Sequence, residues 1–569
     1  MENKKLPFLN LSPWAILCFL TFALGIVYSN SFHGPFIHDD LPSILHNPSL
    51  HSLLKAIQLT SFGAETVTGR PILNFSLALN YAFGGFSPFG YHLTNFFIHL
   101  SATFILFSFL RLTFSLPKFS ESIRNESIPL AACIAGLWGL HPLQTGSVTL
   151  IIQRAESLVS LFYLLTLYCF IRSQAGKKSL LWLSTSIFVC YLGMGTKEIM
   201  VSAPLIVLLY DWTFTETDFQ RLWNKRRFYY YGLLSSWGLV IYLNLCAKSR
   251  DGVYGYAGEI TLGQHLQTQS WAIVHYLRLI FWPSPLILDY GVVKVSDWGI
   301  ILPCTLLLLA IVGTIGWLIW KKPEWGFWGI WAMALVAPTS SIIPMQSEPV
   351  SEHRIYLAMV SVLLFLVLGI HHLLGKRGYL LLILLAVVFG FMTYQRNRDY
   401  SSEESIWKST VLHAPLNPRA HNNYAGALFN QSRWEEAEFH LKETIRLEPR
   451  HLKAYLNYGR LYEAKGDLRE SEGMYRKAIE LRPDFSEAKI NLSHLFIRQH
   501  KISEAENLYR EVLQESPRNP LPYLNLGVIY ESRKEWQKAE TIYLQAIENG
   551  VEEPEIFIRL QMIQVPLIE

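Results

Sequence analysis

The chain has 569 residues, 51% hydrophobic, 14% aromatic and only 17% charged, a balance too apolar for ordinary soluble packing at this size. Its net charge of +4 is spread over short basic clusters, which argues against the continuous basic face that nucleic acid needs. Six cysteines form no CxxC pair, and Cys18, Cys133, Cys169, Cys190 and Cys304 lie inside apolar runs, so neither a disulfide framework nor structural zinc is signalled.

Apolar runs, many close to the roughly 18–20 residues that cross a bilayer, alternate with polar loops as far as Tyr394. The first, Leu11–Tyr28, follows Lys4 and Lys5 and lacks a small-residue cleavage site, so it reads as a retained signal anchor whose start is cytoplasmic. Further spans are expected at Leu93–Phe114, Ile128–Leu140, Leu158–Ile171, Leu180–Gly195, Met200–Phe214, Tyr229–Cys246, Ile300–Trp320, Trp325–Ile343, Ile355–Leu373 and Leu380–Thr393. That makes about eleven by hydropathy. Alternation from a cytoplasmic start places Lys118/Arg124, Arg172/Lys177/Lys178, Arg221/Lys225/Arg226/Arg227, Lys321/Lys322 and Lys376/Arg377 inside, as positive-inside topology requires. The stretch Trp271–Trp282 carries His275 and Arg278 and is short, so it reads as interfacial or re-entrant.

An odd number of spans puts everything beyond the last one outside the cytoplasm, beside loops 29–92, 141–156, 197–198, 248–270 and 346–354. Those loops collect the unusual polar residues. Phe36-Ile37-His38-Asp39-Asp40 sets an acidic pair at the membrane surface, where a carboxylate can take the proton of a Ser/Thr hydroxyl during glycosyl transfer. Asp40-Leu41-Pro42-Ser43 is equally good turn and helix-cap chemistry. The spacing of His38, Asp39 and His46 matches no strong metal-ligand pattern, and no metal is expected. Arg70, Arg154, Lys197, His353 and Arg354, with Glu156, Glu198 and Glu352 beside them, fall on the same side, and such cations suit a phosphate leaving group. Taken singly, each cation also fits a snorkelling interfacial anchor.

The final third is a repeat. Pro415, Pro449, Pro483 and Pro517 recur every 34 residues, the period of the tetratricopeptide (TPR) helical hairpin. Small residues Ala425, Gly459, Ser493 and Gly527 mark the close helix crossing, and Tyr475, Tyr509 and Tyr543 follow in register. A helix around Trp407, ending at Pro415, is expected to cap the array. Asn423, Asn457, Asn491 and Asn525 are also 34 apart, on the first helix of each repeat, which lines the concave face. Their carboxamides can grip the main chain of an extended peptide whatever its side chains; the alternative is a position that simply accepts Asn in an empty groove. The expected organisation is therefore all-α: a polytopic transmembrane domain over 1–395, a linker and capping helix over 396–416, and a TPR α-solenoid over 417–569.

Two classes of function fit these features: a membrane enzyme using the outside charge cluster, or a non-catalytic membrane-anchored scaffold whose TPRs recruit a partner for extracytoplasmic assembly. A mere anchor has no need of Asp39, Arg154, Glu156 and Arg354 at one depth.

The run from Arg70-Pro71 through Gly84-Gly85-Phe86-Ser87-Pro88-Phe89-Gly90-Tyr91-His92, with Asn95 and His99, resembles the first-loop signature of the transmembrane-and-TPR O-mannosyltransferases. His38-Asp39-Asp40, His141-Pro142, Arg154-Ala155-Glu156, Lys197-Glu198, Tyr210-Asp211 and Ser351-Glu352-His353-Arg354 follow the order of that family, so the likeness spans nearly the whole chain. It implies a GT-C-like glycosyltransferase that moves mannose or a related sugar from a polyprenyl-phosphate donor to Ser/Thr of extracytoplasmic proteins. Asp39 would be the main catalytic carboxylate, and no cofactor is needed beyond the lipid-linked sugar. Gly146 stands where members of the family often carry glutamate.

Overall fold

The structure, a computed structural model, describes residues 12–58, 66–174, 178–246, 260–338, 340 and 348–564. Among them there are helices and no strands, in two compact units, Met1–His413 and Ala414–Glu569.

In the first unit a helix falls within each expected span, with Leu11, residues 341–343 and most of loop 248–270 lying outside the described residues, and several of these helices start on proline or a capping side chain. Pro13–Tyr28 opens with Ser12 accepting from the Ala15 N–H and proline in the first turn, where its missing N–H costs nothing. Pro88–Phe114 and Pro323–Val336 also begin on proline. Four segments, Pro88–Phe114, Ile151–Ser173, Trp298–Lys321 and Met359–Asp399, are long and apolar enough to cross a membrane by length and composition. The last comprises two helices, Met359–Leu374 and Gly378–Asp399, hinged at Gly375, whose φ of +54° is open to glycine at no steric cost.

Two expectations change. The run Tyr229–Cys246 is not one helix: Phe219–Leu234 and Ser236–Cys246 part at Ser235, whose hydroxyl is engaged by Gly232 and Tyr191. Loop 29–92 contains the helix Pro71–Gly84, and the segment around Trp271 lies in a longer amphipathic helix, Leu262–Phe281, opened by a Thr261/Gln264 capping box.

Arg154–Ser173 is the hub of the first unit, packed between Pro88–Phe114 and Ser179–Met194. Trp138, Trp328, Trp331, Phe109 and Tyr210 fill the core around it. Trp298–Lys321 is the opposite case, with only 6% of its apolar window buried. Asn397, on Gly378–Asp399, clasps the first helix: its Nδ2 donates to the Val27 carbonyl (3.1 Å) and its Oδ1 accepts from Thr149 (2.7 Å). The helix Glu403–His413, expected to cap the repeats, falls in this unit, where Trp407 is buried edge-on to the His38 ring.

The second unit consists of the hairpins Pro418–Asn430/Trp434–Leu447, Leu452–Lys465/Leu468–Leu481, Ser486–Arg498/Ile502–Glu515 and Pro520–Ser532/Trp536–Glu548, followed by the helix Pro554–Gln564. A Cβ at Gly459 or Gly527 would land on the ring of Tyr475 or Tyr543, which gives the small residue at each crossing its physical reason. The turn inside each hairpin needs a left-handed residue, supplied by Ser432, Gly466, His500 and Lys534 in turn. Only one of the four is glycine.

Candidate functional site

The loop after the first helix is fixed from three directions. His92 Nε2 bonds the Gly34 carbonyl (3.0 Å), Phe36 stacks edge-on with Tyr91 (5.3 Å), and His38 takes a φ of +53° that turns the chain back. The acidic pair then splits. Asp40 is buried and accepts two main-chain N–H bonds, from Ile37 (3.1 Å) and from Ile152 across the site (2.7 Å). Burial outweighs those donors and pushes its carboxyl up to about 7. Asp39 keeps 34% of its side chain exposed, with His38 Nε2 3.5 Å away. Asp40 therefore pins the loop, and Asp39 faces open space.

The segment Gly84–Asn95, which carries the most specific motif, is scaffold. Gly85, at φ +57°, turns the chain, Pro88 starts the next helix, and Asn95 donates to the carbonyls of Val148 and Ile151. Arg154 was expected at a donor phosphate. It is fully buried instead: Nε bonds Asn95 (2.5 Å), Nη1 the Ser76 carbonyl (3.0 Å) and Nη2 the Tyr91 carbonyl (3.0 Å). Its donors are spent on the Asn95 side chain and on the main-chain carbonyls of Ser76 and Tyr91, inside the fold.

The other expected cations are also engaged. Lys197 Nζ meets Glu156 at 2.6 Å, both buried, and burial lowers the lysine's pKa while Glu156 opposes that shift. Arg70 pairs with Glu198 (3.1 Å) and bonds the Thr66 carbonyl. Arg354 gives its guanidinium to the carbonyls of Pro349 (2.8 Å) and Glu348. His353 lies 3.9 Å from Glu156 and 2.9 Å from the Ser351 hydroxyl, and burial, with Lys197 nearby, holds its pKa well below the usual imidazole value. Glu352 accepts from the Ile287 N–H (2.8 Å) and the Tyr290 hydroxyl (2.7 Å), and burial raises its carboxyl to about 7.

These loops enclose one cavity, lined by His38, Asp39, Gln153, Glu348, Glu352 and His353 with Gly146, Ser351 and Tyr400. The structure thus brings His38, Asp39, Glu352 and His353 together, while Arg70, Arg154, Lys197 and Arg354 are not among the described lining residues and Arg70 lines a separate pocket with Asn47 and Asn74. Glu348, Gln153 and Tyr400 were not singled out: Gln153 and Glu348 sit beside the Arg154-Ala155-Glu156 and Ser351–Arg354 motifs, whose charges drew the reading, and Tyr400 lies past the last expected span. Gly146 offered a signal: a Cβ there would lie 3.9 Å from that of His353, so this position opens directly onto the site.

In the second unit, Asn423, Asn457, Asn491 and Asn525 are all partly accessible on the first helices. Asn457 donates to Asn422 (3.0 Å), which donates to Asn423 (3.1 Å), and Asn525 contacts His494 (3.2 Å). Neighbours orient the amides of Asn423, Asn457 and Asn525 without burying them.

Tetratricopeptide-repeat family models match residues 417–484 and 496–557. The human protein O-mannosyl-transferase TMTC1 is 24% identical over 503 residues, covering 77% of this chain and 55% of that protein. The human TMTC4 enzyme is 24% identical over 470 residues, 72% of this chain and 63% of that one. The chain thus spans 55% and 63% of the length of these relatives. A solved structure of ArnT from Cupriavidus metallidurans, bound to undecaprenyl phosphate, overlaps 84% of this chain and 81% of its own at 11% identity and a TM-score of 0.41, a likeness too loose to bear on mechanism. Over about three quarters of its length the chain is thus similar in sequence to proteins named O-mannosyl-transferases, and its second unit matches tetratricopeptide-repeat models.

Proposed function

We propose that the protein is a GT-C-like membrane glycosyltransferase that transfers a sugar, mannose by its relatives, from a polyprenyl-phosphate donor to Ser/Thr hydroxyls of extracytoplasmic proteins. Asp39 is the base. The observation that carries this reading is the division of labour within the acidic pair: Asp40 spends both oxygens on main-chain N–H groups, while Asp39 stands on the cavity wall with a third of its side chain open. A carboxylate so placed can accept the acceptor hydroxyl's proton as that oxygen attacks the anomeric carbon and the polyprenyl phosphate departs. The asparagine ladder holds the acceptor as an extended peptide, reading main chain rather than side chains. The amino terminus is cytoplasmic, and the repeats share the outer compartment with the Asp39 loop.

Asp39→Asn should abolish transfer from polyprenyl-phosphate mannose in proteoliposomes, a loss of at least a hundredfold for removal of a general base, with expression and peptide binding intact. Unchanged transfer by this variant would overturn the assignment. A wild-type protein that binds peptide but transfers no sugar would favour the scaffold.

A further inference from the structure

We infer that Arg396 is the seat of a phosphate-type oxyanion at the edge of the cavity. The residue lies near the end of the helix Gly378–Asp399, one turn before Tyr400 of the cavity wall, and its side chain is only 8% exposed. Its Nη1 is engaged, donating to Asp399 Oδ2 (2.7 Å) and to the Ser409 hydroxyl oxygen (3.3 Å). Nε and Nη2 are buried and meet no acceptor among the described residues. Those two nitrogens form one edge of the guanidinium plane, the fork that takes two oxygens of an oxyanion at once. Buried donors left without acceptors carry their full desolvation penalty, and folded proteins rarely leave two of them on one charged group.

The neighbours of that edge place it beside the cavity without closing on it. The guanidinium lies over the Tyr400 ring, 5.4 Å from its centroid, and the Tyr400 hydroxyl interacts with it without completing a hydrogen bond to Nε or Nη2. Burial raises the Glu352 carboxyl, and Arg396 is the charge that most opposes the rise, which sets the guanidinium on the Glu352 side of the cavity. Glu352 is held off by its own partners, since its Oε1 accepts from the Ile287 N–H and the Tyr290 hydroxyl. Asp399, the carboxylate bonded to Arg396, is 34% exposed, so solvent screens that pair. The arginine is thus paired through Nη1 and unused along its buried edge. A tetrahedral phosphate suits this seat better than a planar carboxylate, because oxygens beyond the two on the fork remain for the Tyr400 hydroxyl. Taking the oxyanion to be the phosphate of a lipid-linked sugar donor rests on the glycosyltransferase reading, while the seat itself rests on Arg396.

The test is retention of polyprenyl phosphate by the full-length protein in detergent, read by native mass spectrometry, with polyprenol as the lipid without the anion and inorganic phosphate as the anion without the lipid. Wild type should retain polyprenyl phosphate and not polyprenol. Displacement by excess inorganic phosphate supports a seat for phosphate of either source, and resistance to it supports a seat for the lipid headgroup. Arg396→Lys keeps a cation for Asp399 but loses the fork, and should weaken retention at least about tenfold. Asp399→Asn removes the competing carboxylate and should retain the lipid at least as well as wild type. The seat is overturned by a wild type that retains polyprenol equally, or by an Arg396→Lys variant that elutes as wild type on size exclusion and keeps full affinity. It is overturned also if Asp399→Asn, eluting as wild type, loses as much affinity as Arg396→Lys, since the arginine then serves only its ion pair. Should Arg396→Lys not elute as wild type, the polyprenol comparison and Asp399→Asn decide alone. Sugar transfer is assayed separately: undiminished transfer by Arg396→Lys ends the seat and leaves the transferase reading standing, while anion-dependent retention without transfer by wild type does the reverse.

Discussion

Lys197 and Glu156 meet at 2.6 Å with side chains only 8% and 1% exposed, and charges taken that far from water are held by each other. Removing one partner leaves the other buried and uncompensated, at a cost of about 3–5 kcal/mol, whereas replacing both can be nearly neutral. Lys197→Met should therefore lower the melting temperature of the detergent-purified protein markedly, and the double variant Lys197→Met/Glu156→Gln should recover most of it. A double variant no better than the single one would refute the pairing. The sequence revealed which residues carry charge on the outer side but not which of them are free. Lys197, Arg70 and Arg154 look alike in the chain, and only their partners, up to 128 positions away for Arg70 and Glu198, decide that each is engaged inside the fold. Glu348 escaped notice for the same reason: it meets His38 and Asp39 only in the fold, and no local spacing reveals that.

At the level of single helices and turns, the repeats were the most legible part, because a 34-residue period forces each position to meet the same neighbours. What the period could not disclose is backbone conformation. Ser432, His500 and Lys534 carry φ near +60° in the turn where Gly466 carries +89°. A side chain in that region costs roughly 1–2 kcal/mol, and glycine gives back about 0.5–1 kcal/mol through its freedom in the unfolded chain. His500→Gly and Lys534→Gly should thus each stabilise the array by about 0.5 kcal/mol, seen as a later unfolding transition of the full chain in urea followed by circular dichroism. Gly459→Ala should move that transition the other way, since its methyl collides with the buried Tyr475 ring. In the membrane unit, hydropathy located the helices but missed the break at Ser235 and the helix Pro71–Gly84, whose Asn74, Ser76 and Asn80 interrupt the apolar signal. Their amide donors are engaged inside the fold: Asn74 Nδ2 bonds the Ser49 hydroxyl and the Ala56 carbonyl, and Asn80 Nδ2 bonds the Gly90 carbonyl and the Thr94 hydroxyl.

For the molecule as a whole, the proposed topology makes a direct prediction. An odd number of spans from a cytoplasmic start exports the repeats, so alkaline phosphatase fused after residue 564 should be active and a fusion within 175–177 inactive. The reverse pattern would place the asparagine ladder in the wrong compartment for an extracytoplasmic acceptor. The clasp made by Asn397 adds a consequence in time. Its partner on the first helix, Val27, lies 370 positions earlier, and Asn30 likewise donates to the carbonyl of Tyr394. At synthesis rates of about 5–20 residues per second, the first helix waits roughly 20–70 s in the bilayer before its counterpart emerges. Until then the cavity built on the loop behind it has no closed wall, so a ribosome stalled short of residue 397 leaves the bundle open at the seam between the helices Pro13–Tyr28 and Gly378–Asp399.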